Sequence, residues 1–150
     1  MAWISGTEER TYMIDAPSED VIDFFCNPER FKEAFGQLES AEEVEPNVWT
    51  WTLVEKAEKG IRFQGVYTVE YTREGDVGTW DSRAGTNSSS KGRVSCRALG
   101  ALTEVTYSET LGFDLPIPKL AAKLFRPIVA REIRHGVGEF LDSAKEILEG

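Results

Sequence analysis

Between Leu38 and Phe113 polar and apolar residues alternate with a period close to two, and after Pro116 and Pro118 the period becomes that of a helix. The two periodicities exclude one another locally, because side chains alternate faces along a strand but recur every three or four residues on a helix face. The first stretch is interrupted at Pro46-Asn47, around Lys59-Gly60, at Glu74-Gly75-Asp76, at Gly85-Thr86-Asn87 and at Gly100, each a hairpin turn by composition. The six runs between them predict a meander of antiparallel strands. Trp49, Trp51 and Leu53 share one strand face, as do Ile61, Phe63, Gly65, Tyr67, Val69 and Tyr71, and both faces are read as the concave side. From Pro118 to Glu149 one long amphipathic helix is expected, with Leu120, Leu124, Ile128, Val137, Phe140, Leu141, Ala144 and Leu148 as its apolar face. Pro127 removes a backbone donor and predicts a kink or break near Phe125-Arg126. Gly136 and Gly138 are read either as a second soft place or as close-packing positions against the sheet.

Upstream, Thr7 to Asp15 alternates as a strand and stops at Ala16-Pro17-Ser18, where proline cannot continue a ladder and serine can cap a helix. That helix has Glu19 and Asp20 in its first turn, at the positive end of its dipole, and Val21, Ile22, Phe24 and Phe25 as apolar positions. It ends near Asn27, because Pro28 biases the residue before it away from helical geometry. Asn27 can then cap a second short helix that begins at Pro28 and sends Phe31, Ala34 and Phe35 inward. The fold class is therefore α+β: a curved antiparallel sheet of about seven strands around a long C-terminal helix, with two short helices after the first strand.

At 150 residues, without a repeat or a Pro/Gly/Ser-rich linker, residues 1–150 read as one domain. A formal net charge of -9 disfavours nucleic acid as a partner. Neither a basic leader before an apolar core nor a run of about 20 apolar residues occurs, so the chain reads as soluble and cytoplasmic, with no transmembrane segment. Cys26 and Cys96 lie in no CxxC pair and read as reduced, buried thiols.

The order strand, two short helices, meander and long terminal helix resembles the helix-grip fold of the START-like superfamily of Bet v 1-related domains (SRPBCC), the polyketide cyclase and lipid-transport group. The residues that carry the resemblance are Ile14-Asp15-Ala16-Pro17-Ser18-Glu19-Asp20-Val21, Asn27-Pro28-Glu29 and Thr103-Glu104-Val105-Thr106-Tyr107. Leu38-Glu39-Ser40-Ala41-Glu42, the strand from Gly60 to Tyr71 and Gly92-Arg93-Val94 are similar to the carbon monoxide dehydrogenase G-subunit branch. The superfamily hosts lipid carriers, hormone receptors, aromatic cyclases and accessory proteins, so the resemblance implies a fold rather than one chemistry.

The candidate site is a pocket between sheet and helix, lined by Trp49, Trp51, Phe63, Tyr67 and Tyr71, with Phe35, Trp80 and Tyr107, and by Leu124 and Ile128 of the helix. The alternative is a filled core in which the same aromatics pack directly on the helix. His135 is the one histidine, which excludes two-histidine metal sites, and neither a metal nor a cofactor is expected. Arg131, Arg134 and His135 read as a solvated helix face; alternatively Arg126, Arg131 or Arg134 reaches the pocket mouth and pairs with an anionic ligand group. Trp80 and Asp81 point to opposite faces, and burial of Trp80 is preferred because an unpaired buried carboxylate is costly. Glu109, on the face of Val105 and Tyr107, is the other acidic residue able to project inward. No catalytic residue is assigned. Three functions remain open: binding or transport of a small hydrophobic, lipid-like molecule, which is preferred; a polyketide cyclase or dehydratase; and an accessory protein with a protein or membrane-surface partner, which needs an exposed apolar patch around Phe113, Leu115, Ile117, Leu120 and Phe125.

Overall fold

The computed structural model describes residues 1–150. Strand β1 (Ala2–Ile14) leads into helices α1 (Ser18–Phe25) and α2 (Pro28–Phe31), the second continuing as a 3-10 turn over Lys32–Ala34. Strands β2 (Leu38–Glu45), β3 (Val48–Leu53), β4 (Lys56–Glu58), β5 (Ile61–Phe63), β6 (Val66–Glu74), β7 (Val77–Ser82), β8 (Ser88–Leu99) and β9 (Leu102–Leu115) follow. A 3-10 turn over Lys119–Ala121 opens helix α3 (Ala122–Glu149). Seven strands form one antiparallel sheet in the order β1-β9-β8-β7-β6-β3-β2, and β4 and β5 pair separately as a small hairpin. The architecture is the α+β helix-grip arrangement, an open seven-stranded sheet packed on α3.

Each expected turn contains a residue in the left-handed region, at Asn47, Lys59 and Gly60, Gly75, Gly85 and Gly100. Such backbone is cheap for glycine and asparagine, and it sets the hairpins where the alternation breaks. The first strand is longer than expected, starting at Ala2, and it pairs with β9 over its whole length. The run from Ile61 to Tyr71 is not one strand. The Asn87 side chain accepts from Val66 N at 2.8 Å and donates to the Gln64 carbonyl at 3.0 Å, taking the backbone groups that would continue the ladder. Ile61–Phe63 thus leaves the sheet and pairs with Lys56–Glu58.

Helix α1 buries Val21, Ile22, Phe24 and Phe25 as its spacing requires. Its N-cap is Pro17, whose carbonyl accepts from Val21 N at 3.1 Å, and Ser18 lies inside the helix, so the serine does not cap. Asn27 does cap α2, accepting from Glu29 N at 3.1 Å with Pro28 next in the chain.

Helix α3 runs unbroken through Pro127. The proline is exposed, so the Lys123 carbonyl that loses its donor faces the solvent side of the helix rather than the core. The buried face is Ala122, Phe125, Val129, Ile133, Val137, Phe140, Leu141 and Ala144. From Val137 onward this is the expected face; in the first half it is displaced by one residue, leaving Leu120 and Leu124 exposed. Two apolar stripes compete there, and the one built on Phe125, Val129 and Ile133 continues in phase into Val137 and Phe140. The helix is tied to β1 by Tyr12 Oη donating to the Leu141 carbonyl at 2.9 Å and by Lys145 Nζ donating to the Met13 carbonyl at 2.7 Å. No helix is long and apolar enough to cross a membrane.

The two helix glycines differ. A Cβ at Gly138 would meet the Arg10 guanidinium of β1, a close-packing position, whereas one at Gly136 meets only Gln37 Cγ at 3.9 Å. Gly136→Ala is therefore expected to stabilise the fold by about 1 kcal/mol through helix propensity. A rise in the urea midpoint checks it, and an unchanged or lowered midpoint counts against that account.

Candidate functional site

An apolar pocket of about 200 Å³ lies between the concave face of the sheet and α3. Rings form its walls. Phe35 and Trp51 stack at 5.9 Å and Phe31 and Trp51 at 5.5 Å, while Phe140 meets Phe25 and Phe31 edge-on at 6.1 and 5.9 Å. Edge-on pairs of rigid rings leave a void beside them where the sheet curves away from one helix. Of the aromatic and helix positions singled out from the sequence, Phe35, Trp51, Phe63 and Tyr67 border the pocket. So do Tyr71, Trp80, Tyr107 and Ile128. Trp49 and Leu124 do not. Trp49 is buried but sits beyond Trp51, stacked on it at 5.8 Å and covered by the Lys32 ammonium at 5.9 Å. Leu124 lies on the outer stripe of α3 and is 56% exposed.

The β4–β5 hairpin covers the mouth, presenting Ala57, Ile61 and Phe63 to the pocket. Two ion pairs tie it to α3: Lys56 Nζ to Glu132 Oε2 at 3.3 Å, and Arg131 Nη2 to Glu58 Oε2 at 3.8 Å. All four side chains are largely open to water, so these pairs contribute little stability and hold the hairpin weakly.

Inside, the apolar lining is broken by one hydrogen-bonded polar chain and, apart from it, by Gln37, whose Oε1 is buried without a partner. Trp80 Nε1 donates to Ser90 Oγ at 2.9 Å, Ser90 Oγ donates to Glu109 Oε2 at 2.7 Å, and Tyr107 Oη donates to Glu109 Oε1 at 2.9 Å. The direction of the chain is fixed at its start, because an indole N–H only donates. Glu109 keeps some accessible surface, but that surface opens into the pocket and the group is otherwise enclosed by protein. Burial pushes its carboxyl above the usual range, and the hydrogen bonds from Ser90 and Tyr107 pull it part of the way back. Burial, with the nearby Glu109, also raises Tyr67, Tyr71 and Tyr107, so all three stay neutral hydroxyls. The Trp51 indole N–H is buried beside the Tyr71 hydroxyl without a well-formed hydrogen bond.

Because Glu109 holds a proton more tightly folded than unfolded, it favours folding below the ordinary glutamate pKa, and this contribution disappears as pH rises through the folded value. Folding stability is therefore expected to fall across that window, and Glu109→Gln to flatten the profile. Urea midpoints from about pH 4 to about pH 8 check this, and parallel profiles for the two proteins would refute it.

Trp80 is inside and Asp81 outside; Arg83, on the outer face with Asp81, pairs with Glu45 at 2.6 Å and Glu70 at 3.8 Å. Arg126, Arg131, Arg134 and His135 are exposed, and His135 faces Glu139 at 3.3 Å. The apolar patch expected around Phe113, Leu115, Ile117, Leu120 and Phe125 is turned inward: Phe113 borders the pocket, Leu115, Ile117 and Phe125 are buried, and Leu120 alone is exposed. Both cysteines are free thiols, but only Cys96 is buried, and burial pushes it up to about 12; Cys26, expected to be buried, is half-buried.

The roles of Ser90 and Glu109 were only half readable. The position of Glu109 on the Tyr107 face was apparent, but the contact with Ser90 depends on register: Glu109 lies opposite Gly92 and Ser90 opposite Leu111, so the two meet on a diagonal.

No family model matches the sequence, and no curated protein matches it. Among solved structures, TTHA0849 from Thermus thermophilus has a TM-score of 0.70 at 23% identity, over 94% of this chain and 95% of its own. A START superfamily protein from Mycobacterium smegmatis has a TM-score of 0.71 at 12% identity, over 95% of this chain and 97% of its own. Norcoclaurine synthase from Thalictrum flavum, solved in complex with dopamine and hydroxybenzaldehyde, has a TM-score of 0.61 at 10% identity, over 97% of this chain and 87% of its own. At these identities the likeness carries the fold and not a branch or an activity. The chain has a START-like helix-grip fold.

Proposed function

We propose that the protein binds a small hydrophobic or amphipathic molecule in the pocket between sheet and α3, as a carrier or a store. The observation that carries this reading is an aromatic-walled pocket with one hydrogen-bonded polar cluster, an arrangement that buries an apolar body and orients it by one end. Phe35, Trp51, Phe63, Tyr67 and Tyr71 supply burial; Trp80, Tyr107 and Ile128 complete the walls. Binding of the neutral fluorophore N-phenyl-1-naphthylamine tests it. Wild-type protein is expected to enhance the dye's emission, and Gly136→Phe, which adds a ring at an open position bordering the pocket, to weaken dye binding about tenfold or more. Equal binding by the two proteins, or none by the wild type, would overturn the reading.

The buried carboxyl favours a second reading, an enzyme of the cyclase or dehydratase type in which Glu109 moves a proton on a bound polyketide-like ketone. Glu109-dependent exchange of deuterium from the α-carbon of acetophenone would support it. Exchange at the solvent rate would remove it. The accessory reading loses most of the patch expected for it, since Leu115, Ile117 and Phe125 are buried and only Leu120 and Leu124 stay exposed at the start of α3.

A further inference from the structure

Glu109 is a carboxyl without a cation. The groups that face it are Tyr107 from β9, Ser90 from β8 and Tyr67 and Tyr71 from β6, while α3 contributes apolar Val137 and Phe140 across the pocket. The charged residues that border the pocket besides Glu109 are Lys56, Glu58 and Glu132, all at the rim. Lys56 is taken by Glu132 and Glu58 by Arg131. Inside the pocket, therefore, nothing offsets a negative charge on Glu109.

Two donors prepare that charge nonetheless, and two further features favour a cation beside it. Ser90 has one proton, and because its oxygen already accepts from the Trp80 indole, the proton is committed to Glu109 Oε2. Tyr107 commits its own to Oε1. Both donors favour the ionised form against the effect of burial. Tyr67, Tyr71 and Tyr107 lie close enough to Glu109 to feel its charge and Trp80 is joined to it through Ser90, and the faces of such rings carry negative potential and attract cations. The sign of the surroundings agrees, since the lining carries three carboxyls against one ammonium and the whole chain a formal net charge of -9.

A neutral guest leaves the carboxylate uncompensated. An anionic guest is repelled by it. A cation meets both the carboxylate and the ring faces, and turns the cost of burying Glu109 into a preference. We propose that the pocket selects a small organic cation: a protonated amine on an aromatic or apolar body, its ammonium paired with Glu109 and set against the surrounding tyrosine and tryptophan rings. This rests on the pocket being a ligand site and adds the charge of the ligand.

The test compares three probes of nearly equal shape, 2-phenylethylamine, 2-phenylethanol and phenylacetate, by calorimetry and tryptophan fluorescence at about pH 7. The wild type is expected to bind the amine about tenfold or more tightly than the alcohol, with phenylacetate weakest. In Glu109→Gln, its fold verified by near-ultraviolet circular dichroism, the ratio of amine to alcohol affinity is expected to collapse to about one. Lowering the pH should weaken amine binding as Glu109 takes up a proton, with proton release accompanying binding in that range. Equal binding of amine and alcohol by the wild type, or a preference that survives Glu109→Gln, overturns the cation proposal while the naphthylamine dye still reports a ligand site. If neither the dye nor any of the three probes binds, both readings fall.

Discussion

Gly92→Ala is expected to destabilise the fold by about 3 kcal/mol, the upper part of the range for overpacking a core. Gly92 lies on the inner face of β8, opposite Trp80 of β7 and Glu109 of β9. A Cβ there would overlap the Trp80 indole and the Ser108 backbone carbonyl. The indole can swing, but the carbonyl cannot, because β8 and β9 are paired without a register shift from Ser88 to Leu99. Swinging the indole breaks its bond to Ser90 and removes the acceptance that commits Ser90 to Glu109. The substitution should therefore act twice, lowering the urea midpoint and disturbing the near-ultraviolet signal of Trp80. Trp80→Leu combined with Gly92→Ala should cost less than the sum of the single changes, since the leucine vacates the contested space. Additive effects, or a Gly92→Ala cost below about 0.5 kcal/mol, would show that the strand relaxes instead.

What could be read from the sequence follows from how local each determinant is. The hairpins were legible because a turn needs a left-handed residue, and Asn47, Gly60, Gly75, Gly85 and Gly100 stand where the alternation fails. The faces of α1 were legible because its eight residues admit one apolar stripe. The first half of α3 was not, since two stripes of similar apolarity run side by side and only the packing partner chooses between them. The break before Val66 was invisible because it is made by Asn87, more than 20 residues away. The same applies to the site. That large aromatics face the helix can be read from period two, but that they wall a pocket, and that Trp80, Ser90 and Glu109 join into one chain, depends on three adjacent strands keeping their mutual register.

Phe140→Ala is expected to cost about 3–5 kcal/mol. Its ring is 7% exposed and lies within 6.1 Å, centroid to centroid, of Phe25, Phe31, Phe35 and Tyr107. These partners come from α1, α2, the segment after it and β9, so one side chain of α3 joins the short helices to the sheet. Removing it forfeits the burial of the ring and the edge-on pairs together, each pair contributing about 0.5–1.5 kcal/mol beyond area. Phe140 also borders the pocket, so the void left by alanine merges with existing space instead of forming a closed hole. Two consequences separate this account from a simple core defect. Phe140→Leu should recover more than half of the loss, because leucine refills most of the volume without the ring. Phe140→Ala, at a temperature where it is still folded, should bind N-phenyl-1-naphthylamine at least as well as the wild type, because the pocket is enlarged and its Glu109 end is intact. Loss of dye binding in folded Phe140→Ala would mean that the ring organises the pocket wall, and a stability cost below about 1 kcal/mol would mean that the four neighbouring rings close over the gap.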